Sequence, residues 1–327
     1  MAMNKLAGDT TGDLPKDTIT ASNTPLPTDT PTPTPEMDMH IWAGMANMPT
    51  ARWGLSTSVV NGKIYAIGGH PDLATVEECD PSSNTWTTKA DMPTGRSGLS
   101  TSVVDGRIYA IGGNTGGWGP SLPTVEEYDP ITDIWTKKAD MPTPRNGLST
   151  AVVNGKIYAV GGMEVTAFEQ WNTLRTVEVY DPATNTWMPR ADLKRGRNWF
   201  NAVEQDGKIY AIGGFTPYEE VYDPATDEWT KLAVMPSTTH ASAASVLDGK
   251  IYTFGGQVDP GGMGITIVFE YDPESDSWVT KPPMPFEAHH FSSSVVNRKV
   301  YCIGGSNKPY PNRPPHLSTV WKYSPVP

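Results

Sequence analysis

Short runs in which apolar and polar residues alternate dominate the chain, and no stretch has the periodicity of a long helix. Runs such as "STSVV" and "KIYAI" are rich in β-branched residues, and Asn61–Gly62 separates them. An Asn-Gly or Asp-Gly pair between two such runs indicates a two-residue β-hairpin turn. The same signal recurs at Asp105–Gly106, Asn154–Gly155, Asp206–Gly207 and Asp248–Gly249. The pattern therefore predicts a series of antiparallel hairpins.

The hairpins belong to a longer repeat. Paired glycines recur six times, at Gly68–Gly69, Gly112–Gly113, Gly161–Gly162, Gly213–Gly214, Gly255–Gly256 and Gly304–Gly305. Their mean spacing of about 47 residues is typical of four-stranded propeller blades. After each of the first five pairs comes a third β-rich run that ends in Asp-Pro. A tryptophan follows six residues after that Asp, at Trp86, Trp135, Trp187, Trp229 and Trp278. Four strands per repeat predict an all-β, six-bladed β-propeller.

The last repeat lacks its fourth strand. The segment "HIWAGMANMPTAR" around Trp42 aligns with "DIWTKKADMPTPR" around Trp135. We therefore expect residues 38–48 to complete the blade that spans 286–324, which closes the ring and removes exposed strand edges. In this blade Asn297–Arg298 replaces Asn-Gly, so a β-carbon stands where the turn requires positive φ, at a cost of about 1 kcal/mol.

These landmarks, a hydrophobic strand with Gly-Gly, then Tyr-Asp-Pro and a Trp at fixed spacing, resemble the kelch repeat. The resemblance covers residues 37–327. It implies that the repeated Gly, Tyr and Trp are a scaffold, with Tyr and Trp filling the spaces between blades. It does not imply one function, because kelch propellers serve as binding platforms, enzymes and cell-surface proteins.

Residues 1–36 differ from the rest in composition. The stretch "TASNTPLPTDTPTPTPE" is rich in Thr and Pro and cannot form a packed core, so it predicts a disordered, extended spacer. Such spacers favour an extracytoplasmic location, periplasmic or secreted with a leader removed, over a cytoplasmic one. A disordered tail with no particular address is the alternative.

Charge and composition narrow the possible partners. The formal net charge of −11 disfavours a nucleic-acid backbone or an anionic membrane as partner, because both need clustered basic residues. No apolar run approaches the length of a transmembrane helix. The two cysteines, Cys79 and Cys302, are too few for a disulfide framework or a structural zinc site, and we expect them to stay unpaired. We expect a monomer without a cofactor.

Function is sought where the repeats disagree. The second-to-third-strand loops and the blade-to-blade loops share one face, and the former vary in length and sequence. Binding residues tend to lie on such loops. Candidates for a ligand surface are Trp118, Phe168, Trp171, Tyr218, Tyr310, Arg313 and His316. The alternative is that these side chains only pack the loops.

The blade-to-blade loops carry a second pattern. Four of them place an arginine at the same position, at Arg52, Arg96, Arg145 and Arg197, and the next position around the ring holds Trp53, Ser97, Asn146, Asn198, His240 and His289. In peptide-binding kelch propellers, arginines in contexts similar to "GRSG" and "PRNG" grip acidic side chains. The resemblance thus implies an arc of positive charge for a carboxylate-bearing peptide or glycan. The alternative is that each arginine bonds carbonyls of its own loop.

Signals for metal or radical chemistry are weak. His240, His289 and His290 have no carboxylate at a supporting spacing, so no metal site is expected. Copper-radical sugar oxidases also use kelch-like blades, but their Tyr-His dipeptide is absent and the cysteines stand in strands. Eukaryotic kelch adaptors of ubiquitin ligases usually carry an N-terminal helical domain, where this chain has the Thr/Pro segment.

Two function classes remain. We favour a non-catalytic binding propeller for an acidic peptide, protein or glycan. The alternative is an enzyme on acidic sugars, because six-bladed sialic-acid mutarotases resemble this architecture. Its candidate acids are Glu164, Glu169 and Glu219, although none stands at a diagnostic spacing.

Overall fold

The computed structural model describes residues 41–116, 119–167, 170–216, 218–258, 262–308 and 316–325. All of them belong to the unit 37–327, and every regular element within them is a β-strand. These ranges contain no helix that is long and apolar enough to cross a membrane. The predicted spacer at 1–36 lies outside the described residues.

The strands follow one another in chain order as hairpins. The first is β1 (Trp42–Gly44). Blade 1 consists of β2 (Ser56–Val60), β3 (Lys63–Ile67), β4 (Val76–Asp80) and β5 (Thr85–Lys89). Blade 2 consists of β6 (Ser100–Val104), β7 (Arg107–Ile111), β8 (Val125–Asp129) and β9 (Ile134–Lys137). Blade 3 contains β10 (Ser149–Val153) and β11 (Lys156–Val160), then an additional hairpin of β12 (Met163–Ala167) and β13 (Gln170–Thr173), and then β14 (Val177–Asp181) and β15 (Thr186–Arg190).

The second half of the ring repeats this plan. Blade 4 consists of β16 (Asn201–Gln205), β17 (Lys208–Ile212), β18 (Glu220–Asp223) and β19 (Glu228–Lys231). Blade 5 consists of β20 (Ala243–Leu247), β21 (Lys250–Phe254), β22 (Val268–Asp272) and β23 (Ser277–Lys281). Blade 6 contains β24 (Ser292–Val296), β25 (Lys299–Ile303) and β26 (Val320–Tyr323). Each blade is a four-stranded antiparallel sheet, which confirms the predicted fold.

The N-terminal strand completes the last blade. Its sheet has the order β1-β26-β25-β24, with Trp42 opposite Tyr323. The Trp42 ring lies 4.8 Å from that of Tyr323 and 5.9 Å from that of Phe254, measured between centroids. Since β1 both pairs with blade 6 and packs against blade 5, the two ends of the ring are held together, as the sequence alignment predicts.

The hairpin turns have the predicted conformation. Asn61 has φ 51° and Gly62 has φ 75°, so both central residues are left-handed, as a type I′ turn requires. Arg298 adopts φ 58° in the turn that lacks glycine. Its guanidinium pairs with Asp248 of blade 5 at 2.7 Å. The strained turn thus positions a surface contact between two blades.

The hydrophobic core of the described residues consists of six clusters, one at each interface between neighbouring blades. Cys79 lies in the cluster between blades 6 and 1, and Cys302 lies in the cluster between blades 5 and 6. Both thiols are unpaired and buried, as expected. Burial raises the pKa of Cys79 to about 11, so the thiol form dominates at neutral pH.

The repeated tyrosines and tryptophans join neighbouring blades. The Trp135 indole nitrogen donates to the Ala90 carbonyl of the preceding blade at 3.0 Å. The Tyr128 hydroxyl donates to Asp133 of its own blade at 2.5 Å, and Asp133 also accepts from the Ala90 N–H at 2.9 Å. The indoles of Trp86, Trp187, Trp229 and Trp278 make the corresponding bonds to Ala46, Ala139, Ala191 and Ala233. These side chains fill space between blades and also satisfy their polar groups there, so they are scaffold residues.

The six inner strands, β2, β6, β10, β16, β20 and β24, surround the central channel. Hydroxyl or amide side chains link every neighbouring pair, through Ser56–Thr101, Ser100–Thr150, Ser149–Ala202, Asn201–Ser242, Ser245–Ser293 and Thr57–Ser292. The channel wall is therefore polar and continuous. It holds a cavity of about 190 Å³ whose lining includes Trp199 and His290.

Candidate functional site

The four predicted ligand-binding arginines are fully buried. Arg52, Arg96, Arg145 and Arg197 each have 0% exposure and form ion pairs with Glu77, Glu126, Glu178 and Glu220 respectively. Each also donates to a carbonyl of its own blade, at Ala66, Ala110, Gly161 and Gly213. Burial lowers the pKa of Arg52, Arg96 and Arg145, and the adjacent glutamates oppose this shift.

The prediction that these guanidinium groups line the mouth and hold a ligand carboxylate is therefore wrong. Each guanidinium is already paired with an internal glutamate, and no part of it reaches the surface. The alternative considered for the sequence, that each arginine bonds its own loop, describes them. They belong to the scaffold, because a buried guanidinium needs both a counter-charge and acceptors for its remaining donors.

Each glutamate occupies the same position in the third strand of its blade. In blades 1 to 3 it directly follows the first buried valine, and in blade 4 it follows Glu219, which stands in place of that valine. In blades 5 and 6 this position holds Phe269 and Trp321, and the arginine position holds Thr239 and Ala288. The arginine and the glutamate are therefore kept together or replaced together by a small residue and an aromatic residue. This joint replacement is the sequence signal for a buried ion pair.

Blade 4 adds a second buried carboxylate. Glu219 replaces the valine of the other blades, accepts from the Gly213 backbone N–H at 2.8 Å and pairs with Arg197 at 3.1 Å. Burial raises the pKa of Glu219 to about 7, against the opposing effect of Arg197. With 1% exposure, this proposed catalytic acid does not face a ligand. Glu164 lies on β12, and Glu169 lies outside the described residues.

Glu219 should make stability pH-dependent. The pKa of Glu219 is higher in the folded than in the unfolded protein. Its contribution to the free energy of unfolding is therefore fully present below pH 4.5 and is lost as the pH rises through about 7. At about 1.4 kcal/mol per pKa unit, the loss is about 3 kcal/mol. Glu219→Gln keeps an acceptor for Gly213 but cannot ionise. We expect this variant to gain about 2–3 kcal/mol over wild type between pH 5 and pH 8 in urea unfolding. If the stability difference between Glu219→Gln and wild type is the same at pH 5 and pH 8, Glu219 does not have a raised pKa.

A closed ring of six backbone hydrogen bonds surrounds the channel mouth. We call its members the inner ring: Gly54, Gly98, Gly147, Trp199, Ala241 and His290. Each N–H donates to the carbonyl of the preceding member at 2.7–2.9 Å, and Gly54 donates to His290. All six have positive φ. Glycine adopts this conformation freely, whereas a side chain there costs about 1–2 kcal/mol.

Trp199 lies across the glycine half of the inner ring. A β-carbon at Gly98 or at Gly147 would lie 3.1 Å from its indole. The three glycines therefore leave room for one large ring held at φ 48°. The His290 ring lies 4.5 Å from Trp199, edge to face. This aromatic pair occupies the position that the repeat otherwise gives to glycine or alanine, and the sequence analysis missed Trp199.

The residues that directly follow the arginine position in each blade-to-blade loop, which the sequence analysis identified, differ in exposure. Trp53, Ser97, Asn146 and His289 are at most 5% exposed, so the loops cover them. Asn146 Nδ2 donates to the Ser121 hydroxyl at 2.8 Å. Asn198 and His240 are half-buried, and His240 Nε2 lies 3.4 Å from Asn198 Oδ1. Of the non-arginine residues predicted here, Asn198 and His240 reach the surface.

Histidines surround this mouth. His70 stacks on Trp53 at 4.7 Å, and His240 stacks on Phe215 at 4.3 Å, between ring centroids. His316 lies 5.5 Å from His70. We call the half-buried residues His70, Asn198, Trp199, Phe215, His240 and His316 the mouth surface. It combines aromatic faces with imidazole and amide groups. The described residues contain no group of three or more side chains that could hold a metal ion.

His289 and His290 form a hydrogen-bonded pair. His289 Nε2 lies 3.0 Å from the Lys308 carbonyl, which can only accept, so this nitrogen carries a hydrogen. The two Nδ1 atoms lie 2.6 Å apart. When both rings are neutral, His290 therefore donates from Nδ1, and its Nε2 is an acceptor. Protonating both rings would place two N–H groups opposite each other across this contact.

The remaining loop candidates of the sequence analysis do not form one cluster among the described residues. Trp171 lies on β13 and is 62% exposed. Lys231 Nζ lies 4.1 Å above the centre of the Tyr218 ring, which indicates that Tyr218 packs its loop. Trp118, Phe168, Tyr310 and Arg313 lie outside the described residues.

Comparisons with known proteins agree with this architecture. The KLHDC2/KLHL20/DRC7 Kelch-repeats domain matches residues 33–214, and the Kelch motif matches 200–236, 239–285 and 288–326. The chain belongs to the kelch-repeat family. Kelch domains generally mediate protein–protein interaction, so membership supports a binding role in general terms.

Two individual proteins show the extent of the similarity. Kelch-like protein 40a of Danio rerio is 51% identical over 41 residues, which are 12% of this chain and 7% of that protein. The solved structure of YjhT superposes with a TM-score of 0.74 at 18% identity, covering 84% of this chain and 95% of YjhT. At this identity the second comparison shows a shared kelch-propeller fold.

Proposed function

We propose that this kelch propeller is a non-catalytic binding module that holds a carboxylate-bearing ligand, an acidic peptide or an acidic glycan, at the mouth surface. The observation that carries the proposal is the replacement of glycine by Trp199 and His290 in the inner ring. Both residues hold a left-handed backbone that costs stability, and such strain tends to persist at functional sites. The scaffold itself needs only glycine there, as blades 1 to 3 demonstrate.

The chemistry of the mouth surface suits such a ligand. The indole of Trp199 offers an apolar face for a sugar ring or a peptide side chain. Asn198 offers hydrogen bonds, and His70 and His240 can become cationic. An imidazole that gains a proton becomes cationic, so attraction of a carboxylate should be stronger at pH 6 than at pH 8.

A glycan and acidic-peptide array tests the proposal. Binding is measured at pH 6 and pH 8, each at two salt concentrations. We expect carboxylate-bearing probes to bind more strongly at pH 6, and their neutral amide or ester analogues to bind weakly. Sugar-acid binders are then tested for catalysis by following anomeric exchange with NMR. Accelerated exchange would replace the non-catalytic proposal, and an array without carboxylate-dependent binding would remove the ligand class.

Changing Trp199 to glycine should separate ligand binding from stability. Trp199→Gly restores the repeat residue and relieves the left-handed strain, so we expect an unchanged or higher melting temperature. Affinity for the array-selected ligand should fall at least about tenfold, which corresponds to about 1.4 kcal/mol. Ala241→Gly is the matched control, because it relieves the same left-handed backbone strain at another member of the inner ring without removing an aromatic side chain. Equal affinities in the two variants would contradict the role of Trp199.

A further inference from the structure

The loop between blades 3 and 4 departs from its own repeat at two adjacent positions. Lys194 stands where the other five blade-to-blade loops have proline, and Arg195 stands where they have Thr, Thr, Thr, Ser and Phe. Both side chains are exposed. In a chain with a net charge of −11, two adjacent exposed cations in one blade-to-blade loop need an explanation.

The scaffold explains only the backbone of this departure. In blades 1 to 3 the threonines at this second position, Thr50, Thr94 and Thr143, donate to the buried glutamate of their blade. In blade 4 the backbone N–H of Lys194 donates to Glu220 Oε1 at 2.9 Å instead. Proline could not make this bond, because it has no N–H. Any residue other than proline would supply it, so the two positive side chains have no role in the buried ion pair.

A third cation lies beside them. Arg175 is exposed at a position where the other blades have Ala, Pro, Pro, Thr and Ser. Its Nε donates to the Leu193 carbonyl at 2.6 Å, and the Leu193 N–H donates back to the Arg175 carbonyl at 2.9 Å. Arg175, Lys194 and Arg195 are thus held on adjacent segments. Within the described ranges none of the three forms a salt bridge.

The additional hairpin of blade 3 adjoins these cations. A β-carbon on Gly196 would lie 2.8 Å from the Thr173 carbonyl, so the cationic turn packs against the end of β13. All four residues of β13 are exposed, and Trp171 is 62% exposed. Among the described strands β13 pairs with β12 alone, and the far edge of β12 is bonded to Ser121. The hairpin therefore presents one uncovered strand edge and one exposed indole.

We propose that Trp171, Arg175, Lys194 and Arg195, the rim patch, dock an acidic peptide segment of a partner protein as an added strand along β13. Three cations that form no salt bridge with the described residues suit a segment with several carboxylates. The uncovered edge offers main-chain hydrogen bonds, which a peptide can match and a polysaccharide or a membrane surface cannot. The indole of Trp171 provides the apolar contact. The rim patch is a second surface and does not depend on ligand binding at the mouth.

A labelled ten-residue peptide that alternates Glu and Val is the probe, measured by fluorescence anisotropy with the full chain. We expect it to bind at least tenfold more tightly than the corresponding Lys-Val peptide, with an affinity that falls as salt is raised. Lys194→Thr/Arg195→Thr keeps the backbone N–H to Glu220 and should weaken binding at least tenfold, and Trp171→Thr should weaken it severalfold. Lys137→Thr/Lys208→Thr removes two exposed cations elsewhere and should change affinity less than twofold.

Several outcomes overturn the proposal. Equal binding of the two peptides removes the charge preference, and equal losses in the rim-patch and control doubles remove the location. If a peptide N-methylated at alternate amides binds as well as the parent, the added strand is wrong. Tighter binding of heparin oligosaccharides or anionic lipid vesicles would assign the patch to another class of partner. Lys194→Thr/Arg195→Thr should leave the affinity for an array-selected acidic sugar unchanged, which separates this result from that of the mouth.

Discussion

Replacing Arg145 by alanine is expected to destabilise the protein by about 3–5 kcal/mol, because it leaves the Glu178 carboxylate buried without a counter-charge. Glu178 would retain the 2.8 Å bond from the Thr143 hydroxyl but not the guanidinium that pairs with it. Urea unfolding measures the loss. Affinity for any ligand at the mouth should stay within about twofold, equivalent to about 0.4 kcal/mol, since the guanidinium does not reach the surface.

A double variant is the matched control for this effect. Arg145→Thr/Glu178→Phe copies the pair that blade 5 carries as Thr239 and Phe269. Because it removes both charges and restores apolar volume, we expect it to be more stable than either single variant. A double variant no better than Arg145→Ala would show that the ion pair and the aromatic pair are not interchangeable. Arg145→Ala with unchanged stability and weakened ligand binding would reverse the assignment of these arginines.

Removing the N-terminal strand is the second change with a large expected effect. Deletion of residues 1–48 exposes the edge of β26 and removes Trp42 and Met48, which are 8% and 1% exposed. Burial of each large apolar side chain stabilises by about 1.5–3 kcal/mol. We therefore expect the melting temperature to fall by several degrees, or the protein to aggregate through the exposed edge.

Deletion of residues 1–36 is the control for this truncation. It leaves β1 and its pairing with Tyr323 intact, so the melting temperature should be nearly that of the full chain. If the two truncations melt alike, β1 does not close the ring in solution.

The fold could be predicted because its determinants are local and repeated. The Asn61–Gly62 turn fixes a hairpin by its two left-handed residues, and Trp135 stands at a constant distance from the Asp-Pro turn. The alignment of the Trp42 segment with Trp135 also identified the closing strand. Each of these signals acts within a few residues or recurs in several blades, so one sequence was sufficient.

The arginines show what the sequence alone could not predict, which is the direction of their side chains. Their spacing correctly placed them in the blade-to-blade loops, but spacing does not tell whether a side chain turns outward or inward. The partner decides the direction. Glu126, on the third strand of its own blade, offers Arg96 a buried counter-charge that solvent does not. The joint loss of arginine and glutamate in blades 5 and 6 carried this information and was not used.

The mouth was recognised at one position and missed at the next. Asn198 and His240 were identified from the ring of polar residues that follows the arginines. Trp199 was not, because glycine, tryptophan, alanine and histidine share no chemistry that marks them as one position. They share a left-handed backbone and a closed ring of hydrogen bonds, which only the folded structure reveals.

The most direct test of the central claim is the indole N–H spectrum of the protein, which has eleven tryptophans. The spectrum is recorded while an array-selected carboxylate ligand is titrated at pH 6. The indole signal of Trp199 should shift with saturation, and those of Trp86, Trp135, Trp187, Trp229 and Trp278, which donate to carbonyls between blades, should stay in place. Shifts confined to Trp171, or a Trp199 signal unmoved at saturation, would contradict ligand binding at the mouth.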